Sequence, residues 1–117
     1  FMAAGAAAPA VPETWGIVGT INGWGGDKLD WGLNLDAEGK YWVAKNVTLK
    51  ADEEIKFRFK HDWTDNLGGE FAVDSAISLT AGGANMKTTE GTFDIYLDVA
   101  ASKAYIMTAG KTPADAN

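Results

Sequence analysis

Apolar and polar residues alternate with period two along most of this chain, the pattern of strands with one buried face. The stretch "WGIVGT" (15–20) is a short apolar run that ends in Gly-Thr. In "LDWGLNL" the alternation puts Leu29, Trp31, Leu33 and Leu35 on one face, predicting a core position for Trp31. In "KYWVAKNVTL" it puts Tyr41, Val43, Val47 and Leu49 on one face and Trp42, Ala44, Asn46 and Thr48 on the other. "EIKFRFK" sends Ile55, Phe57 and Phe59 inward and Lys56, Arg58 and Lys60 outward. "AISLT" reads as a short strand. "GTFDIYLDV" sets Phe93, Ile95, Leu97 and Val99 against Asp94, Tyr96 and Asp98, and "SKAYIMT" closes the series.

Turn signals separate these runs: "NGWGGD", "DAEGK", "KADE", "NLGG", "AGGAN" and "VAASK". No window of helical period competes with them. About seven strands at this spacing predict an all-β protein, an antiparallel two-sheet β-sandwich of immunoglobulin-like type. The expected division is a linker or expression remnant over 1–13, one sandwich module over 14–109 and a loose tail over 110–117. The Ala/Pro-rich start, "FMAAGAAAPAVP", lacks apolar period, which is why it falls outside the module.

Charge and composition narrow the chemistry. A formal net charge of −6 argues against nucleic acid and anionic membrane as partners, since both reward clustered Lys and Arg. With no cysteine there is no disulfide, thiol nucleophile or zinc-thiolate site. His61 stands alone as the chain's histidine beside Asp62, and neither Ser75 nor Ser102 sits in the sharp glycine-flanked turn of a nucleophile. His61 is therefore read as a solvated turn residue, and the chain as no enzyme. A pair of glycosidase carboxylates meets only in space, so product analysis with starch is the check on that reading. Asp62, Asp65, Asn66 and Asp27 could offer oxygens to calcium, but they lack the acid-every-second-residue pattern and read better as turn caps. No metal and no cofactor are expected.

Five tryptophans in 117 residues are the over-supplied feature. Burial is the usual fate of an indole. Trp15 opens the first strand as packing or edge cover. Trp42 falls on the polar face of its strand, exposed or capped by Arg58 through a cation–π contact if the two strands pair. Trp24 and Trp63 differ, because each lies in a Gly/Asn/Asp-rich turn where strand periodicity demands no apolar residue. Two loop indoles make either a platform for the apolar faces of pyranose rings or a small core under the loops. The local sequence leaves both open.

The segments "VGTINGW", "EIKFRFKHDWTDNLGG" and "GGANMKTTEGTFDIYLDVAASKAYIM", in that order over about residues 15–108, resemble the starch-binding modules of SusE/SusF-type outer-membrane proteins. Related glycogen- and pullulanase-associated modules share the frame. In the glycogen-binding module of AMP-activated kinase, a Trp ends a turn, a Lys stands seven residues before a second Trp, and an Asn follows in a later loop. The matching positions here are Trp24, Lys56, Trp63 and Asn85; Arg58 shares the outward face of Lys56 and could take its role. The resemblance implies a non-catalytic module in which two tryptophans cradle an α-glucan and Lys56 and Asn85 bond its hydroxyls. It further implies a monomeric module of a multi-domain surface lipoprotein at a bacterial outer membrane. The alternative is an immunoglobulin-like spacer or protein-interaction module with no working sugar site.

Overall fold

The structure, a computed structural model, describes residues 13–25 and 30–116. The expected linker and the positions of Leu29 and Asp27 lie outside these residues, apart from Glu13. Eleven strands are formed among the described residues: β1 (Trp15–Gly19), β2 (Trp31–Gly32), β3 (Asn34–Leu35), β4 (Trp42–Leu49), β5 (Glu54–Phe59), β6 (Asp62–Gly68), β7 (Ala76–Ser78), β8 (Thr80–Ala81), β9 (Met86–Lys87), β10 (Gly91–Asp98) and β11 (Lys103–Thr108). They build two antiparallel sheets packed face to face, the sandwich predicted by the alternation. The first runs β2-β1-β5-β6-β8, with β9 also on β5; the second runs β3-β4-β10-β11-β7.

Between the sheets lie Ile17, Ile55 and Phe57 from the first and Val47, Ile95 and Ile106 from the second, all fully buried. The alternation of β5 and β10 matches this. Ile55 and Phe57 face inward while Lys56 and Arg58 face outward, and β10 directs Phe93, Ile95 and Leu97 into the core. Each apolar side chain so buried contributes on the order of 2 kcal/mol, which fixes the register of the whole strand.

Two tryptophans fall where the alternation does not put them. In β4, Val47 pairs with Phe93 but Ala44 pairs with Ile95, so Lys45 and Asn46 together face Asp94 in a β-bulge. The extra residue reverses parity across the bulge. Trp42 and Ala44 thus join Val47 and Leu49 on the core side, and Trp42 packs against the core. Its strand also belongs to the sheet opposite Lys56 and Arg58, so Arg58 does not cap it. Trp31 corrects the second expectation. It shares Ile17's face, but β2 is the edge strand of its sheet, and the indole is left 43% exposed. Leu35 on the opposite edge is exposed as well, while Leu33 between them is buried where the chain crosses from one sheet to the other.

The bulge is locked from outside. The Asp94 carboxylate accepts the backbone N–H groups of Asn46 and Gly110, each at 2.9 Å, and Lys45 Nζ stands 3.7 Å away. Asn46 has φ 57°, a left-handed conformation that Asn tolerates better than most residues. The segment beyond β11 is tied down at several points. Besides Gly110, Lys111 pairs with Asp74 at 3.5 Å, and Thr112 and Asp115 cap a short 3-10 turn over Pro113–Asp115.

Candidate functional site

The outer face of the first sheet assembles the residues that the sequence singles out. Cross-strand pairing sets Val18 beside Lys56, and Gly16, Arg58 and Asn66 in one row. Beyond that row the β5–β6 pairing is broken. Arg58 opposes Asn66 whereas Phe59 opposes Asp62, so Trp63, Thr64 and Asp65 are extra residues on β6. They arch over the face. Asp62 Oδ1 accepts the Thr64 N–H and hydroxyl, both at 2.8 Å, and Asn66 Nδ2 donates to the Trp63 carbonyl at 2.8 Å. These are the turn-capping roles expected for Asp62 and Asn66. The Thr64 bonds also hold the Asp62 carboxyl below the usual aspartate value.

Trp24 reaches the same place from β1. Asn22 closes the turn that follows this strand, accepting from Gly19 N–H at 3.1 Å and donating to the Ile17 carbonyl at 2.9 Å. Trp24 itself sits at φ 60°, ψ 29°. That left-handed conformation costs a bulky residue about 1–2 kcal/mol, and backbone strain of this kind gathers at functional positions. The Trp24 and Trp63 ring centroids lie 6.2 Å apart with their planes tilted 36°. Trp63 is 45% exposed and Trp24 partly buried.

Beneath Trp63 lies Arg58, its guanidinium 4.6 Å from the ring centroid. Asp30 grips Arg58 with both oxygens, at 2.6 Å to Nε and 2.8 Å to Nη2. His61 Nδ1 stands 3.0 Å from both Arg58 Nη2 and Asp30 Oδ1. The Arg58 and Asp30 side chains are almost wholly buried. His61 is therefore no solvated turn residue. Lys60 and His61 both have positive φ, which reverses the chain tightly after β5 and turns the imidazole back under the face. Gly25 packs directly on this cluster: a Cβ there would strike Arg58 Nη2 and the His61 ring, so the position needs glycine.

Lys56 is in a different state from Arg58. It is largely buried, its Nζ is 5.9 Å from the Trp63 ring centroid, and among the described residues it has no hydrogen bond or ion pair. Burial pushes its amine below the ordinary lysine value. Asn85 lies toward the other end of the face. The pairing of Ile55 with Met86, extended by one residue, sets it across from Lys56, and its Nδ2 donates to Glu54 Oε1 at 2.9 Å. It also lines an open groove of about 620 Å³ with Gly69, Glu70, Phe71, Ala84 and Lys87. Trp24, Trp63, Lys56 and Arg58 thus form one cluster, and Asn85 borders it by way of Lys56 and Glu54.

Sequence reasoning missed Asp30, His61 and Gly25 as parts of the site. The His61–Asp62 pair at a strand end was a signal, but it pointed to the wrong carboxylate. Among the described residues no helix is long and apolar enough to cross a membrane. No family model matches the chain, and no curated protein matches it. The likeness to starch-binding modules is carried by the motifs alone.

Proposed function

We propose that this chain is a non-catalytic carbohydrate-binding module that takes a polysaccharide, an α-glucan of the starch type, on the Trp24–Trp63 pair. The observation that carries the reading is the tilted indole pair beside a lysine that has no hydrogen bond or ion pair among the described residues. Two apolar faces at an angle suit consecutive rings of a curved glycan, whose C–H bonds meet the π-clouds. The Lys56 ammonium, partly desolvated, supplies a lateral donor to a hydroxyl, and Asn85 adds an amide farther along. Removing such donors from water ahead of binding lowers the cost of forming the bond. Shallow platforms give modest affinity, a Kd of roughly 10 μM to 1 mM, with avidity where modules repeat in one chain. By the same resemblance, we place the module in a multi-domain protein at a bacterial outer surface.

Intrinsic tryptophan fluorescence and titration calorimetry with maltoheptaose, and separately with a β-glucan oligosaccharide, test this reading. A saturable shift with maltoheptaose that is lost in a folded Trp63→Ala variant supports it. No heat and no spectral change up to ~10 mM maltoheptaose, far above the range proposed, would refute it.

A protein-interaction module is the second reading, and Trp31 and Leu35 favour it. Both are large, apolar and exposed at strand edges, the usual sites of edge-to-edge contact. Loss of partner-free monomer behaviour on concentration, cured by Trp31→Lys, would support it over the glycan.

A further inference from the structure

Arg58 looks outward along β5 like Lys56, yet it is the more heavily committed of the two cations. Its Nε and Nη2 are taken by Asp30, His61 abuts Nη2, and its guanidinium lies over the Trp63 ring. Its side chain is 4% exposed and that of Asp30 6%. A buried pair of this kind, with both carboxylate oxygens engaged, presents almost no surface to a ligand and holds its geometry tightly.

Both indoles are referred to this one cluster. Trp63 has the guanidinium over its ring, while Gly25, next to Trp24, packs against Arg58 Nη2, His61 and Asp30. The reference for both is thus a cluster whose Arg58 and Asp30 side chains are almost wholly buried. We propose that Arg58 is a positioning residue: clamped by Asp30 and His61, it is the pedestal that fixes the tilt of Trp63 against Trp24, and so determines which glycan curvature the platform accepts. The pedestal stands on geometry alone; its consequence for specificity rests on the glycan reading above. Under it Arg58 makes no bond to the sugar, and the role shared between Lys56 and Arg58 falls to Lys56.

The first test needs no sugar and no variant. In the wild-type protein, NMR of the Arg58 side chain is expected to show separate, slowly exchanging Nη protons displaced by the Trp63 ring current. A single averaged signal like that of a solvated arginine would overturn the pedestal. The second test reads the indole pair by its exciton circular dichroism, again without sugar. In Asp30→Asn the couplet is expected to collapse while melting stays cooperative, and maltoheptaose binding weakens roughly tenfold. An unchanged couplet in the folded variant would overturn the proposal. Should Asp30→Asn not fold, Asp30→Leu with Arg58→Met removes both charges together, which buried pairs commonly tolerate. The couplet is again expected to collapse, and its survival counts against the pedestal. With maltoheptaose added to the wild type, magnetisation transfer from sugar protons to the Arg58 guanidinium would also refute it. A wild type that keeps the couplet and the slow Arg58 protons but binds no sugar retains the pedestal and loses the glycan reading.

Discussion

The two outer faces of the sandwich use the same materials in opposite ways. Each carries aromatic rings, lysine and a buried aspartate, Asp94 on central strand β10 of the second sheet and Asp30 just before edge strand β2 of the first. On the second sheet, Tyr96 and Tyr105 pair across β10 and β11, and Tyr41 meets both edge-to-face, at 5.8 and 6.0 Å. Lys45 Nζ donates to the Tyr96 hydroxyl at 3.0 Å, and Asp94 collects two backbone N–H groups. Around the bulge, Lys45, the Tyr96 hydroxyl and Asp94 all have partners. On the first sheet, Trp63 is open, Lys56 has no partner among the described residues, and Asn66 Oδ1 is buried without a hydrogen bond. A buried polar atom left in that state costs about 1–3 kcal/mol. The groups around the bulge of one face are bonded, while the other leaves Lys56 and Asn66 Oδ1 without partners beside Trp63, a combination that calls for an explanation.

The sharpest way to break this comparison is to remove one ring from each face. Tyr96→Ala is expected to cost about 3 kcal/mol, because the ring is buried and its hydroxyl bonded. Sugar binding should survive in the protein that remains folded. Trp63→Ala should do the reverse: binding lost, with stability changed by about 1 kcal/mol or less, since nearly half the indole already faces water. Thermal melts paired with maltoheptaose titrations of the two variants decide it. Equal losses of stability would make Trp63 ordinary packing and remove the distinction between the faces.

How far the alternation carries is visible in the same residues. It placed Ile55, Phe57, Phe93, Ile95 and Leu97 correctly, because a strand with one buried face cannot slip by one residue without exposing them all. It failed at Trp42 for the opposite reason. A single extra residue at Lys45–Asn46 resets parity, and the acceptor that stabilises the bulge, Asp94, lies 48 residues away in sequence. Trp31 failed because parity says which way a side chain points, not whether a neighbouring strand covers it. At the site, Trp24 and Trp63 stood out as departures from pattern, whereas Lys56 fits the alternation and was singled out only through the family resemblance. Asp30 was not legible: inside "LDWGLNL" it is one more polar position off the apolar face until the fold brings Arg58 to it across 28 residues.

Acid separates the faces through Asp94. Desolvation raises its pKa, but the N–H groups of Gly110 and Asn46 and the nearby Lys45 outweigh this and hold it below the ordinary value of 3.8. A carboxyl depressed in the fold contributes stability that is complete above the unfolded value and fades as pH falls through the folded one. Asp94→Asn, which cannot accept as strongly from both groups, is expected to cost about 1–3 kcal/mol at pH 7. Its deficit should shrink below pH 3.8, where the wild type also loses the charge. Melting curves of the two proteins across that range check it; a deficit independent of pH would deny Asp94 its charged role.

Lys56 gives the smallest and most discriminating change. Its amine is depressed by burial, so folding disfavours the charged form, and the penalty is present below the folded pKa and relieved as pH rises toward 10.5. Replacing it with an apolar side chain of similar length removes that penalty at neutral pH while keeping the stem that packs against Val18 and Trp63. Lys56→Met is therefore expected to be more stable than the wild type by about 0.5–1 kcal/mol, and to bind maltoheptaose roughly tenfold more weakly. The gain should narrow in alkaline buffer as the wild-type amine loses its proton. On the tyrosine face Lys45 donates to Tyr96, and Lys45→Met should lose stability instead. Opposite signs for the same substitution on the two faces would separate a side chain kept for a ligand from one kept for the fold. A loss of stability in both would mean that Lys56 has a structural partner after all, as Lys45 has.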